Sequence, residues 1–255
     1  MAPSVFADRR WVVRREAVRV QVAALALSRA PNPHHRRLLM TMLADWGNPA
    51  GRFGQFTHPH LAPLIYAGLW GAELPAYPLA AAAVIAGMGQ ALLYDQDTGR
   101  HPASWEALDP EETREIGTFL LYSLPPMAVT ALEAPPNTRV AMWETLAACL
   151  VRVSTGRHDL PAPLEEATMW AAELPATFAA LSAQLAGAAP PIVHACHRLG
   201  QAIGMAAEFG PTGGHRWVAG AWARASPYDI PPAAASREQA LSALADAGLL
   251  EPGRG

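Results

Sequence analysis

Residues Leu79–Tyr94 read LAAAAVIAGMGQALLY and run directly into Asp95-Gln96-Asp97-Thr98-Gly99. The apolar run falls short of the about 20 residues that a bilayer-spanning helix needs. It also holds Gln90 and the glycines Gly87 and Gly89. Its alanine and leucine content favours helix over strand. The reading is a buried core helix over about 77–94, followed by a polar loop over 95–110.

The same composition extends outward in both directions, and the expectation is a single all-α domain over 1–255. Upstream, Val18, Val22 and Leu25 recur at helical spacing, predicting a first helix over about 8–30 that Pro31 and Pro33 stop. Shorter helices follow over about 35–46 and 60–71, separated by the Gly- and Pro-bearing stretch 47–59. Downstream, Asp109-Pro110-Glu111-Glu112 is a helix start: a capping side chain, a first-turn proline and acids at the positive helix end. Pro125-Pro126 lies inside that helix and predicts a kink or break. Helices over about 138–155, 163–187 and 191–209 come next, then a tail helix over 236–247.

Composition removes several function classes. The chain of 255 residues is 51% hydrophobic and 16% charged, with a formal net charge of −3. That profile suits a packed core and not a disordered segment. No dense basic stripe marks a nucleic-acid surface. Every basic residue is arginine, so neither a Schiff-base lysine nor a phosphate-loop lysine exists. Cys149 and Cys196 sit far apart in apolar helical runs and read as small core residues of a reducing, cytoplasmic compartment. No secretory leader or membrane span is read from the chain.

Two segments carry a resemblance. The first runs from Leu61-Ala-Pro-Leu-Ile-Tyr to Leu92-Leu93-Tyr94-Asp95-Gln96-Asp97; the second runs from Glu165-Glu166 to Leu199-Gly200-Gln201-Ala202-Ile203-Gly204. Over about 55–235 their layout resembles the trans-isoprenyl diphosphate synthases, the polyprenyl synthetase family. The resemblance implies an isoprenoid-synthase-like helical bundle, with central helices around an apolar cavity. It also implies two DDxxD motifs on facing helices, whose carboxylates hold the Mg²⁺ ions that make diphosphate a leaving group.

The charged residues of that pattern are mostly replaced. At the first motif position, Asp95 matches and Asp97 is a displaced second acid. At the second, Ala207-Glu208-Phe209-Gly210-Pro211 keeps only Glu208. These three acids are the candidate metal ligands, and Mg²⁺ is the only cofactor they would imply. The family's basic grip on the second diphosphate falls on His58-Pro59-His60-Leu61-Ala62-Pro63, where His60 alone could substitute. Met88 stands where the family has a histidine, and Glu173 aligns with a family lysine. Gly99-Arg100-His101-Pro102 retains one cation of a further basic segment, which makes Arg100 and His60 the candidate substrate-binding residues. Each missing charge-assisted contact to phosphate removes about 1.5–3 kcal/mol.

No residue is assigned a catalytic role from sequence. The leading expectation is a non-catalytic or regulatory subunit, or an isoprenoid-binding pseudoenzyme. It would form a homodimer, or a heterodimer with an active prenyl synthase, through the helices over 138–155 and 163–187. The alternative is a Mg²⁺-dependent, terpene-synthase-like enzyme that acts on one prenyl diphosphate through Asp95, Asp97 and Glu208. An unrelated all-α module is the third reading. His194 and His197 share a helix face but lack a third zinc ligand. Ser154, His158 and Asp159 are adjacent in sequence, which does not make a catalytic triad. Trp217 and Trp222 read as core aromatics, with an apolar cavity or a partner surface as the alternatives.

Overall fold

The computed structural model describes residues 9–30, 32–47, 61–70, 73–98, 109–156 and 164–209. Among them there is no strand. The helices are α1 (Arg9–Arg29), α2 (Pro33–Gly47), α3 (Leu61–Trp70), α4 (Tyr77–Thr98), α5 (Pro110–Thr118), α6 (Leu124–Thr130), α7 (Pro136–Gly156), α8 (Leu164–Leu185) and α9 (Pro190–Phe209). A 3₁₀ turn, Leu74–Ala76, precedes α4, and a π-helical segment, Phe119–Ser123, joins α5 to α6. The tail helix expected over 236–247 lies outside the described residues, as do Trp217 and Trp222.

These helices form two compact units. One contains α1, α2, α4, α5, the π segment and α6. Its centre is α4, against which α1, α5, the π segment and α6 all lie. Residues 79–89 are buried on every side of the helix. The stretch Leu74–Leu93 is long and apolar enough to cross a membrane, yet 78% of its 18-residue apolar window is buried inside the protein. This is the buried core helix expected from the sequence. Val18, Val22 and Ala26 of α1 are buried at four-residue spacing and supply one wall. At Gly89 a Cβ would stand 2.7 Å from the Leu121 amide nitrogen and 2.8 Å from the Gly117 carbonyl, so only glycine permits this approach of α4 to α5.

The caps of this unit follow the local sequence. The Asp109 carboxylate accepts from the Glu111 N–H at 2.9 Å, and Pro110 occupies the first turn, as expected. Pro125-Pro126 does not end its helix. The chain widens into the π segment, where the Leu124 N–H donates to the Phe119 carbonyl five residues back, and then continues as α6. Neither proline can donate to the preceding turn, and the wide turn carries the helix past that gap. Pro33 differs from expectation: it starts α2 in the N1 position, behind the Asn32 cap.

The other unit contains α3, α7, α8 and α9. Its centre is α8, buried continuously over 172–183. Ile65 of α3 meets Ala179 and Ala183 of α8 and Cys196 and Leu199 of α9 in one apolar cluster. The C-terminus of α8 closes in a Schellman turn: the Ala188 N–H donates to the Ala183 carbonyl and the Gly187 N–H to the Gln184 carbonyl. Gly187 takes the left-handed conformation this turn requires, with φ of 70°.

Candidate functional site

The first acidic motif lies on the last turn of α4. That helix runs through Thr98, so Asp95 and Asp97 are helical and not part of the loop expected after Tyr94. Residues two apart on a helix do not share a face. Both also stand at the negative end of the helix, where an acid is disfavoured without a cation. Gln96 occupies the second position of the pattern. Its amide nitrogen donates to the Pro110 carbonyl and ties the end of α4 to the start of α5. An amide with its nitrogen committed in this way is a poor replacement for a carboxylate that binds hard Mg²⁺. Of the pattern positions 95, 96 and 99, only Asp95 carries a carboxylate. A magnesium diphosphate calls for several carboxylates, and this motif offers one at the pattern positions.

The second motif position, Glu208, is the penultimate residue of α9. Its helix carries the family-like Leu199-Gly200-Gln201, and these residues have a structural role. A Cβ on Gly200 would overlap the Pro175 carbonyl of α8 and stand 2.7 Å from the Ala176 Cα. Leu199 is fully buried in the α3–α8–α9 cluster. This part of the motif sets how closely two helices approach. His60 and Arg100 lie outside the described residues, as do His158 and Asp159.

The best-defined polar group of this unit was not found by sequence reasoning as a pair. Glu173 of α8 is buried, and its Oε1 accepts from Arg152 of α7 through Nε at 2.7 Å and through the neighbouring guanidinium nitrogen. Arg152 itself stays half exposed. A buried carboxylate without such a partner would be strongly unfavourable. Glu173 is therefore a held structural anion, and the charge reversal read from its alignment with a family lysine is locally compensated. The two residues lie far apart in sequence, and no periodicity links them.

Around that pair the side chains are unreactive. Burial pushes the Cys149 thiol up to about 12, with the Thr177 hydroxyl opposing and the Glu173 carboxylate reinforcing the shift. The Cys149 thiol points to the Glu173 carbonyl, Sγ to O 3.9 Å. Burial likewise raises Cys196 to about 11. Burial holds His197 below the ordinary histidine value, against the pull of Glu173; Arg152 and His194 push the same way as burial. Among the described residues, no group of three His, Cys, Asp or Glu side chains could hold a metal ion.

A central α4 and a central α8, each sheathed by shorter helices, define the class. The chain has the all-α fold of the trans-prenyl diphosphate synthases, as the sequence resemblance implied. The geranyl diphosphate synthase small subunit from Antirrhinum majus superposes with a TM-score of 0.65 at 14% identity, covering 92% of this chain and 93% of that one. A polyprenyl synthetase from Streptomyces coelicolor A3(2) gives 0.65 at 16% identity, covering 94% and 81%. A deletion mutant of the heterotetrameric geranyl pyrophosphate synthase of mint gives 0.59 at 14%, covering 90% and 91%. No family model and no curated protein matches the sequence.

Proposed function

We propose that this chain is a non-catalytic subunit of the isoprenoid-synthase fold, acting as the regulatory partner of an active prenyl diphosphate synthase. Gln96 carries the reading. At a position where the family pattern places an acid, the chain has an amide that joins two helices through the Pro110 carbonyl. Where the pattern serves the scaffold, as at Leu199-Gly200, the residues remain. Scaffold kept and ligand positions changed is what a partner subunit needs.

The surface of α7 supports the partner role. Val140, Trp143 and Val151 are 58%, 47% and 63% exposed, and their spacing places them along one face of the helix. The opposite face, with Met142, Leu146, Cys149 and Val153, is buried. Glu144, also exposed, borders these residues, and an exposed apolar patch edged by charge suits a protein interface. Of the two helices expected from sequence to form that interface, α7 offers this exposed face, while α8 is buried over 172–183 inside its own unit. Two of the structural neighbours are described as a small subunit and as a heterotetrameric synthase.

The test has two arms. The purified protein is titrated calorimetrically with a non-hydrolysable farnesyl diphosphate analogue, with and without about 5 mM Mg²⁺. It is also co-expressed with a short-chain prenyl diphosphate synthase from the same source and purified through a tag. The reading expects no Mg²⁺-dependent binding and a stable complex with the synthase. Micromolar, Mg²⁺-dependent binding abolished by Asp95→Ala would replace it with an enzyme acting through Asp95, Asp97 and Glu208.

A further inference from the structure

The start of α2 holds a buried imidazole in an arrangement that only its neutral form satisfies. Asn32 caps the helix. Its Oδ1 accepts from the His35 backbone N–H at 2.8 Å, and its carbonyl accepts from the Arg36 N–H at 3.1 Å. The amide nitrogen of the same side chain lies 3.2 Å from His35 Nδ1. A backbone N–H can only donate, so Oδ1 is the atom it meets, and the amide orientation is fixed. The amide NH₂ also can only donate. His35 Nδ1 must therefore be the acceptor, and the ring proton sits on Nε2.

The surroundings complete that assignment. His35 is 4% exposed. Its Nε2 faces Glu115 Oε1 of α5 at 3.6 Å, and its ring lies nearly parallel to Phe119 of the π segment, at an interplanar angle of 10°. Beside it on α2, His34 Nε2 lies 3.1 Å from Glu112 Oε1. The two ring centroids are 6.4 Å apart. Arg36, the next residue of α2, donates to the Leu27 carbonyl of α1. Among the described residues, the titratable groups against the ring are Glu115 of α5 and His34 of its own helix, with Glu112 of α5 on the far side of His34 and the Arg36 guanidinium turned to α1.

We infer that Asn32, His35 and Glu115 form an acid-responsive latch on the α1–α2 turn. A second proton on His35 must go to Nδ1, where it meets the hydrogens of the Asn32 amide. That contact becomes favourable only if the amide turns over and offers Oδ1 to the ring. The same oxygen then leaves the His35 N–H, and α2 loses its cap. The helix cap and the imidazolium compete for one oxygen atom. Meanwhile the charged ring is drawn to Glu115, so acid loosens the start of α2 and strengthens its tie to α5. The latch lies in the unit built around α4 and does not depend on the partner-subunit reading.

The experiment is nuclear magnetic resonance on the full-length ¹⁵N-labelled protein between about pH 8 and about pH 5, the range in which histidine changes charge. At the upper end the His35 ring should show the Nε2–H tautomer. On acidification, protection of the His35 N–H from exchange, corrected for intrinsic rates and compared with Leu38 and Leu39, should fall about fivefold to tenfold, the worth of one helix cap. Asn32→Asp provides the control that keeps the fold. A carboxylate can accept from the N–H and from Nδ1–H⁺ together, so the loss of protection should vanish. An Nδ1–H tautomer at the upper pH, or identical protection profiles in wild type and Asn32→Asp, would overturn the latch.

Discussion

Gly200 of α9 lies directly against the Pro175 carbonyl of α8, with no space for a side chain between the two helices. The contact joins two sequence features. Pro175 sits inside a helix, where its missing N–H and its ring disturb the regular ladder. Gly200 sits in a segment that resembles a catalytic-family signpost. Here it brings α9 close enough for Cys196 and Leu199 to join Ile65, Ala179 and Ala183 in the core. Backbone atoms on α8 cannot move aside as a flexible side chain would. Gly200→Ala should therefore destabilise the protein by about 2–3 kcal/mol through overpacking, despite alanine's better helix propensity. Urea unfolding of the two proteins measures the difference; a change below about 0.5 kcal/mol would show that the helices separate freely.

Much of this architecture is legible in the letters, and the misses share a physical cause. Helix type and order follow from apolar periodicity and from punctuation such as Asp109-Pro110, where cap and proline agree. Leu79–Tyr94 announces a core helix because no polar face interrupts it. Apolar periodicity ends α4 too early because the last turn, Asp95–Thr98, is polar and leaves no apolar mark. Pro33 reads as a helix stop from sequence but begins α2, because proline both follows helices and starts them. The Arg152–Glu173 and His35–Glu115 contacts join residues far apart in the chain, and single-sequence patterns do not reach that distance. The candidate ligands Asp95, Asp97 and Glu208 were identified by resemblance alone. Asp95 and Asp97 stand on the last turn of α4 and Glu208 on the last turn of α9.

The half-buried His197 gives a pH dependence with a definite sign. Burial lowers its pKa in the folded protein below the unfolded value, despite the opposing pull of Glu173. The unfolded chain then binds the proton more readily than the folded one. The stability held by neutral His197 is fully present above the unfolded histidine value of about 6.5, and it is lost as pH falls through the lower folded value. His197→Gln removes this titration. Urea midpoints measured from about pH 8 down to about pH 5 should fall less steeply for the variant than for wild type. Equal slopes would mean that the imidazole is as well solvated folded as unfolded.

The two thiols should be chemically silent in the native state. A thiol raised to about 12, as Cys149 is, or to about 11, as Cys196 is, holds almost no thiolate at neutral pH. Only the thiolate reacts with alkylating reagents. Iodoacetamide at about pH 8, near the ordinary thiol range, should leave both residues unmodified for hours, as read by intact mass. Addition of urea should then release both. Rapid native labelling of Cys149 would show that α7 and α8 part often enough to expose it.

The exposed face of α7 permits a direct test of the partner role, because its residues can be changed without entering the core. Trp143 and Val151 are exposed, while Met142, Leu146 and Val153 behind them hold the helix in its unit. Replacing exposed apolar residues with charge should leave stability within about 0.5 kcal/mol of wild type. An apolar interface centred on a tryptophan should not tolerate a buried, unpaired carboxylate. Trp143→Glu with Val151→Glu should thus leave the thermal unfolding profile unchanged and weaken association with a co-expressed prenyl synthase at least about tenfold. Undiminished association would place the interface elsewhere. Loss of both association and stability would be read against Trp143→Ser alone, which introduces no charge and separates a folding defect from a lost contact.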